Sequence, residues 1–392
     1  MFFSKPTYVK DAEQLISYAH KLLNYRRDII KEEPLAEIEA MIPELQGLVK
    51  AREKEQSIEL MKKLSNLLER NGPPRNELGW RENVEVFVVA FIVAAGVRAY
   101  ILQPFKIPTG SMQPTLNGII VTPTTNPLPN PLQRLTELAM LGRTYFEVQS
   151  AEDDRLKGME PLKMAPPILR GMRMIDGTRV TTFKGQTFDV PTPPDPLARA
   201  FGLYPGQKIP AGAPFLRGFA TVGDHVFVDR VTYNFRHPKK DDVFVFLTKN
   251  IKLIEERSGG SAGQFYIKRL VGVPGDTIRV EPPKVLINGA LPELPGIRRV
   301  MKAENGYTGY TNPSNAAGEI EDNSPLAVQG NSMIWVNGGY EHVVTPNHFY
   351  AMGDNSANSW DSRNWGEVPA QNSVGRGVFV WWPFGPHWGF VR

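Results

Sequence analysis

Between Val86 and Phe105 the chain carries one charge, Arg98, and Val86–Val97 carries none. A helix needs about 20 mostly apolar residues to cross a bilayer, because the hydrocarbon offers nothing to hydrogen-bond an exposed backbone. Residues 83–104 are therefore read as a transmembrane anchor, although the clean run by itself would equally suit a buried core helix. Arg98, near the exit, can carry its guanidinium to head-group level. Lys62, Lys63, Arg70, Arg75 and Arg81 precede the run, and only Lys106 lies close behind it. That asymmetry places the N-terminal side in the cytoplasm and everything after the run outside.

Residues 1–82 balance acid against base, so the formal charge of +4 lies wholly in 83–392. Apolar residues recur there at helical spacing: Leu15, Ala19, Leu22; Ile38, Ile42, Leu45, Val49; Leu60, Leu64, Leu67. The pattern predicts two or three amphipathic helices, divided or kinked at Pro34 and Pro43 and stopped at Asn71-Gly72-Pro73-Pro74. This is a cytoplasmic helical extension, unlike a cleavable leader, which needs an early uninterrupted apolar core. It reads as a self-packed spacer or as a partner site.

Beyond the run, Gly 35 and Pro 34 across the chain point to a β-rich, loop-rich body. Short alternating segments at Val226–Val228, Val243–Leu247, Phe265–Val273, Thr277–Val280 and Val378–Trp382, bounded by turn residues, predict antiparallel β structure. Cys 0 removes disulfides, a thiol nucleophile and thiolate metal sites. The net charge is too small on 392 residues to argue for nucleic acid. No metal-ligand cluster and no cofactor motif stands out, and none of the six histidines, His20, His225, His237, His342, His348 and His387, lies in a recognisable triad context.

Three stretches carry chemistry. Ile107-Pro108-Thr109-Gly110-Ser111-Met112-Gln113-Pro114-Thr115-Leu116 follows the apolar run and holds one serine on a stiff, turn-rich backbone. By itself it reads equally as a plain joint. Tyr266-Ile267-Lys268-Arg269-Leu270-Val271-Gly272-Val273-Pro274-Gly275-Asp276 is a strand entering a turn, with Lys268 on the face of Tyr266 and Leu270. Burial lowers a lysine's pKa from about 10.4 and makes it a usable base, although a snorkelling lysine would look the same. Tyr350-Ala351-Met352-Gly353-Asp354-Asn355-Ser356-Ala357-Asn358-Ser359-Trp360-Asp361-Ser362-Arg363-Asn364-Trp365-Gly366 packs acid, amide, hydroxyl and guanidinium groups into one loop.

In this order, with Gly223-Asp224-His225-Val226-Phe227-Val228-Asp229-Arg230 between the first two, these stretches resemble the type I signal peptidases, membrane-bound Ser-Lys endopeptidases that remove leader peptides. The resemblance covers residues 84–116, 223–282 and 348–392. It implies a mainly β, antiparallel coiled-sheet catalytic core over 105–392 and a second β subdomain at 283–347. It further implies Ser111 as nucleophile, Lys268 as general base and Thr109, where the family more often has Ser, as an oxyanion-hole hydroxyl beside the N–H of Ser111. Ser359 matches the residue that hydrogen-bonds the lysine, and Asp361 and Arg363 match a supporting ion pair. Phe105, Ile107, Met112, Leu116, Val226, Val245, Tyr266 and Ile267 match the walls of two shallow substrate pockets. The implied partners are signal-peptide-bearing precursors, the lipid bilayer of the bacterial cytoplasmic membrane and the secretion machinery, and no cofactor is implied.

Two alternatives are a self-cleaving soluble Ser-Lys relative and a catalytically dead anchor. The apolar run and the final loop oppose the first; intact Ser111, Lys268 and Ser359 oppose the second. One segment departs from the family pattern: residues 117–222 intervene between the serine and Gly-Asp motifs. They hold Pro-rich turns (123–131, 191–196), a helix candidate at Leu132–Leu141 and strand-like pieces at Thr144–Val148 and Arg179–Phe183. A structureless loop of that length is unusual, so a small, partly β subdomain is expected. It is read as a tolerated surface insertion, or as a contact to membrane, substrate or partner.

Overall fold

The structure, a computed structural model, describes residues 6–72, 75–164, 175–257, 263–312, 334–336 and 339–391. The chain forms two compact units, Met1–Ala94 and Ala95–Arg392. In the first, helices Thr7–Arg26, Glu32–Ala51 and Lys54–Asn71 share a core built on Ala19, Leu22, Ile38, Ile42, Leu45, Leu60, Leu64 and Leu68. The breaks fall at 27–31 and 52–53, not at the prolines. Pro34 sits in the first turn of its helix, where a missing N–H is harmless, and Pro43 lies inside the same helix. Arg52 closes that helix in the left-handed region, with φ +62°, and donates its N–H to the Leu48 and Val49 carbonyls. Pro73 and Pro74, expected to stop the pattern, lie outside the described residues.

A long helix follows, Arg75–Tyr100, and its stretch Asn83–Tyr100 is long and apolar enough to cross a membrane by length and composition. In that stretch most side chains are exposed instead of packed, Phe87 at 78% and Phe91 at 69%. The helix ends sooner than the expected anchor boundary at 104. Leu102–Lys106 is already a strand, because Pro104 cannot donate within a helix and because the next segment is claimed by a neighbour. Arg230 fixes that exit: its N–H donates to the Ile101 carbonyl (3.1 Å) and its guanidinium to the Ala99 carbonyl (3.2 Å) and Gln103 Oε1 (3.1 Å).

The second unit is built on an antiparallel sheet. Its strand order is Leu102–Lys106, His225–Asp229, Ser373–Trp382, Val243–Leu247, Phe265–Gly272, His348–Met352 and Val368–Pro369, with Gly389–Phe390 beside Ser373–Trp382. The first and fifth strands would lie about 19 Å apart in a flat sheet, at roughly 4.8 Å per strand. The Phe105 and Phe265 rings they carry are 5.1 Å apart. The sheet is therefore curled on itself, bringing the strand Leu102–Lys106 to the lysine strand. This is the mainly antiparallel β fold expected.

A second, four-stranded sheet pairs Lys284–Ile287, Thr277–Glu281, Gly339–Val343 and Ile334–Val336. It starts at Thr277, ahead of the expected boundary at 283, and residues 313–333 of the expected subdomain lie outside the described ones. The described residues of 117–222 contain two sheets and two helices, with one core that includes Val121, Phe146, Leu156, Val180, Leu197 and Leu216. The helix Pro131–Leu141 and strands Arg143–Gln149 and Ile175–Thr182 lie where the pattern suggested. The strand Asp154–Met164 gave no strand signal because its alternation is mostly polar, with Asp154 and Leu156 its buried residues.

Candidate active site

The serine turn is anchored by what it buries. Met112 and Leu116 are fully inaccessible and pack with Ile107, Val226, Val243 and Val380. Between them the backbone closes on itself: Gln113 N donates to the Gly110 carbonyl (3.1 Å), and Thr115 N and Leu116 N donate to the Met112 carbonyl (both 2.9 Å). The Gly223-Asp224 pair holds both flanks. Ile107 N donates to the Asp224 carbonyl (2.9 Å), Asp224 N to the Asn117 carbonyl (2.9 Å) and Asn117 N to Asp224 Oδ2 (2.7 Å). A side chain on Gly223 would put its Cβ 1.7 Å from the Ile107 carbonyl oxygen, so only glycine permits this approach.

From the lysine strand, Lys268 Nζ donates to Ser111 Oγ at 2.7 Å, and both residues are buried. Burial pushes the Lys268 pKa down to about 8, with Asp361 pulling it back up and Arg363 adding to the fall. Burial also presses the Asp361 carboxyl upward, but Arg363 (2.7 Å), Lys268 and the Gly353 N–H (2.8 Å) together hold it below the usual carboxylate range. Asp361 also caps the turn Ser362–Trp365, accepting from Arg363 N. The expected ion pair is thus present, and its carboxylate acts on Lys268 through space.

Thr109 Oγ1 lies 3.5 Å from Ser111 Oγ, so three polar side-chain groups meet at one point. Ser359 differs from its implied role. Its Oγ is buried with no hydrogen-bond partner among the described residues, and the Lys268 ammonium is directed to Ser111. It still borders the site: a Cβ on Gly353 would fall 2.1 Å from Ser359 Oγ and 2.6 Å from the Ser111 carbonyl oxygen.

Of the eight expected wall residues, Ile107, Met112, Leu116 and Val226 gather in one cluster with Ile267 packed against it. Val245 is buried opposite Ile267 on the neighbouring strand. Phe105 meets Phe265 edge to face. Tyr266 is placed apart from these: strand alternation turns its ring to Phe246 (6.2 Å), in the cluster around Trp365. Two backbone edges flank the dyad. The lysine strand pairs with His348–Met352 only from Arg269 onward, and Leu102–Lys106 pairs only with His225–Asp229. Among the described residues, Phe265–Lys268 and the exit strand each keep one side open.

Several participants carried no assigned role in the sequence. Arg269, beside Lys268, is 1% exposed and donates to both oxygens of Asp354 (2.8 and 2.7 Å) and to Thr115 Oγ1 (3.1 Å). Asn355 N donates to the Ser111 carbonyl (3.0 Å) and its side-chain amide to the Gly110 carbonyl (3.1 Å). The available signal was a second cation next to the lysine, since an arginine in an otherwise apolar strand needs a buried acid.

The chain matches the family model described as signal peptidase, peptidase S26, over residues 220–382. It is 31% identical over 209 residues to signal peptidase I of Pseudomonas aeruginosa, covering 48% of this chain and 68% of that one. It is 32% identical over 163 residues to signal peptidase I of Leptolyngbya laminosa, covering 41% of this chain and 62% of that one. With thylakoidal processing peptidase 1, chloroplastic, of Arabidopsis thaliana it shares 29% identity over 161 residues, 41% of this chain and 37% of that one. The matches to these last two thus cover less than two thirds of either relative's length.

Proposed function

The chain belongs to the type I signal peptidase family, peptidase S26, and from that premise we propose that it is a membrane-anchored serine endopeptidase that removes signal peptides from exported precursors. The observation that carries this is the buried 2.7 Å contact between Lys268 Nζ and Ser111 Oγ. A lysine titrating near 8 is substantially neutral in mildly alkaline water, whereas one near 10.4 is not. Neutral Lys268 removes the Ser111 proton as Oγ attacks the scissile carbonyl. The oxyanion is met by the Ser111 N–H and the Thr109 hydroxyl. Lys268 returns the proton to the leaving amine, giving the acyl-serine, then takes one from the water that attacks this ester and frees Ser111.

The substrate enters as an extended strand between the two open edges, pairing beside Lys268. Alternate side chains, the first and third before the scissile bond, then point to one face, against Ile107, Met112, Leu116, Val226 and Ile267. These walls leave little volume. A Leu or Phe there forces rotamers apart at about 1–3 kcal/mol, so cleavage falls by about fivefold to more than about a hundredfold relative to Ala. The second position, on the opposite face, tolerates large residues. The exposed apolar helix supplies the anchor in the cytoplasmic membrane, with the N-terminal helices cytoplasmic and the catalytic unit outside.

The test is a gel-shift assay on a precursor library varied at these three positions. Ser111→Ala and Lys268→Ala each abolish cleavage, and the double variant is no worse than either, because the two act as one unit. Turnover by a single variant, or equal cleavage of Phe and Ala at the first position, would overturn the proposal.

A further inference from the structure

The helix Pro295–Met301, from the segment between the lysine strand and the final loop, reaches behind the dyad. Ile297 and Val300 bury it in the core of the second sheet, with Val271, Tyr350 and Met352. Its first turn is held by Asp241, whose carboxylate accepts from Gly296 N (2.9 Å) and Ile297 N (2.8 Å). Asp241 also accepts from Arg269 Nη1, through its carbonyl (2.8 Å) and its Oδ1 (3.1 Å). The approach is so close that a Cβ on Gly296 would fall 2.1 Å from Arg269 Nη1. One turn later, Arg299 Nη2 donates to Thr115 Oγ1 at 2.7 Å.

Thr115 is where the contacts converge. Its hydroxyl has one proton and two lone pairs. The proton goes to Asp354, and the lone pairs accept from Arg269 and Arg299. Thr115 also closes the serine turn through its N–H to the Met112 carbonyl. A shift at this hydroxyl is therefore passed through one tight turn to Ser111. We infer that Arg299 is a positioning residue: by holding Thr115 it fixes the turn that presents Ser111 to Lys268, and it makes the second sheet's subdomain part of the catalytic apparatus. The inference rests on Ser111 being the nucleophile.

The experiment measures kcat and KM for precursor cleavage by the full chain in detergent micelles, with Tm recorded for every variant. Arg299→Ala lowers kcat about 10- to 100-fold, the range for a nucleophile displaced by a fraction of an ångström, while KM stays within about twofold. Arg299→Lys recovers part of the rate, because Thr115 Oγ1 needs one N–H donor and not the whole guanidinium. Arg299→Ala combined with Thr115→Val is no slower than Thr115→Val, since the arginine acts through that hydroxyl. Wild-type kcat in a folded Arg299→Ala protein overturns the inference, as do losses that simply multiply in the double variant. If Arg299→Ala does not fold, Arg299→Gln and its pairing with Thr115→Val decide by the same criteria. Activity in Ser111→Ala would overturn the nucleophile assignment instead, so the two failures are distinguishable.

Discussion

At the scale of single residues, the site depends on a lysine held away from water. The unfolded chain keeps the Lys268 proton up to about pH 10.4, whereas the folded one keeps it only up to about 8. Between these values the unfolded state binds more protons, so stability rises with pH across the window. Below 8 the folded enzyme carries the whole deficit, about 3 kcal/mol at 1.36 kcal/mol per unit. Two outcomes follow. In wild type, kcat/KM climbs tenfold per pH unit to a limb near 8, and a limb at the ordinary lysine value would contradict the burial argument. Lys268→Met abolishes cleavage yet raises Tm at neutral pH, and the gain vanishes near pH 10.5; a Tm that falls at neutral pH would contradict it.

Thr109 offers a separate check. Thr109→Val loses about 100-fold or more in kcat and Thr109→Ser keeps most of it, because the donor is the hydroxyl and not the methyl. Equal rates in the Val variant would leave oxyanion stabilisation to the backbone alone. Ser111 and Lys268 were legible because a lone hydroxyl on a stiff turn and a cation on a strand's apolar face each demand an explanation. The bonds of Arg269 were not, because its acid, Asp354, lies 85 residues away and only the fold brings them together. The free Ser359 hydroxyl shows the opposite limit: a matched position gives a neighbourhood and leaves the hydrogen bond open.

At the scale of elements, periodicity located seven of the nineteen strands among the described residues and the helices of residues 7–71, and missed where elements stop. The helix ending at Tyr100 was predicted too long because Leu102 and Phe105 are as apolar as the span itself; their pairing with His225–Asp229 is a tertiary fact. The strand Ser373–Trp382 began five residues before the apolar alternation did, since Gly375 and Gly377 carry no side chain to alternate. Gly223 makes the element-level prediction. Gly223→Ala drives a methyl into the Ile107 carbonyl, parting the Gly-Asp turn from the serine turn. The expected loss is about 1–3 kcal/mol of stability together with most of the activity, read by Tm and precursor cleavage. An alanine variant with unchanged Tm would show that the two backbones have room to separate.

At the scale of the molecule, the proposed topology is open to direct test. Protease added outside intact spheroplasts digests the catalytic unit and leaves the helices of residues 7–71 protected, as the lysine and arginine excess before the apolar helix requires. Digestion of those helices from outside would reverse the orientation. The architecture of residues 117–222 could be read only as a small subdomain, because its two sheets are joined by contacts distant in sequence.

The position of Ser373–Trp382 has a consequence in time. That strand sits in the middle of the sheet, between His225–Asp229 and Val243–Leu247, yet it is made after both of them. Until it has been made, the strand Leu102–Lys106 and the strand bearing Lys268 have no common scaffold. A nascent chain that ends before it therefore lacks the continuous sheet in which Lys268 meets Ser111. On the proposed function, a translation product that stops before Ser373 carries Ser111 and Lys268 without the strand that joins the two halves of their sheet.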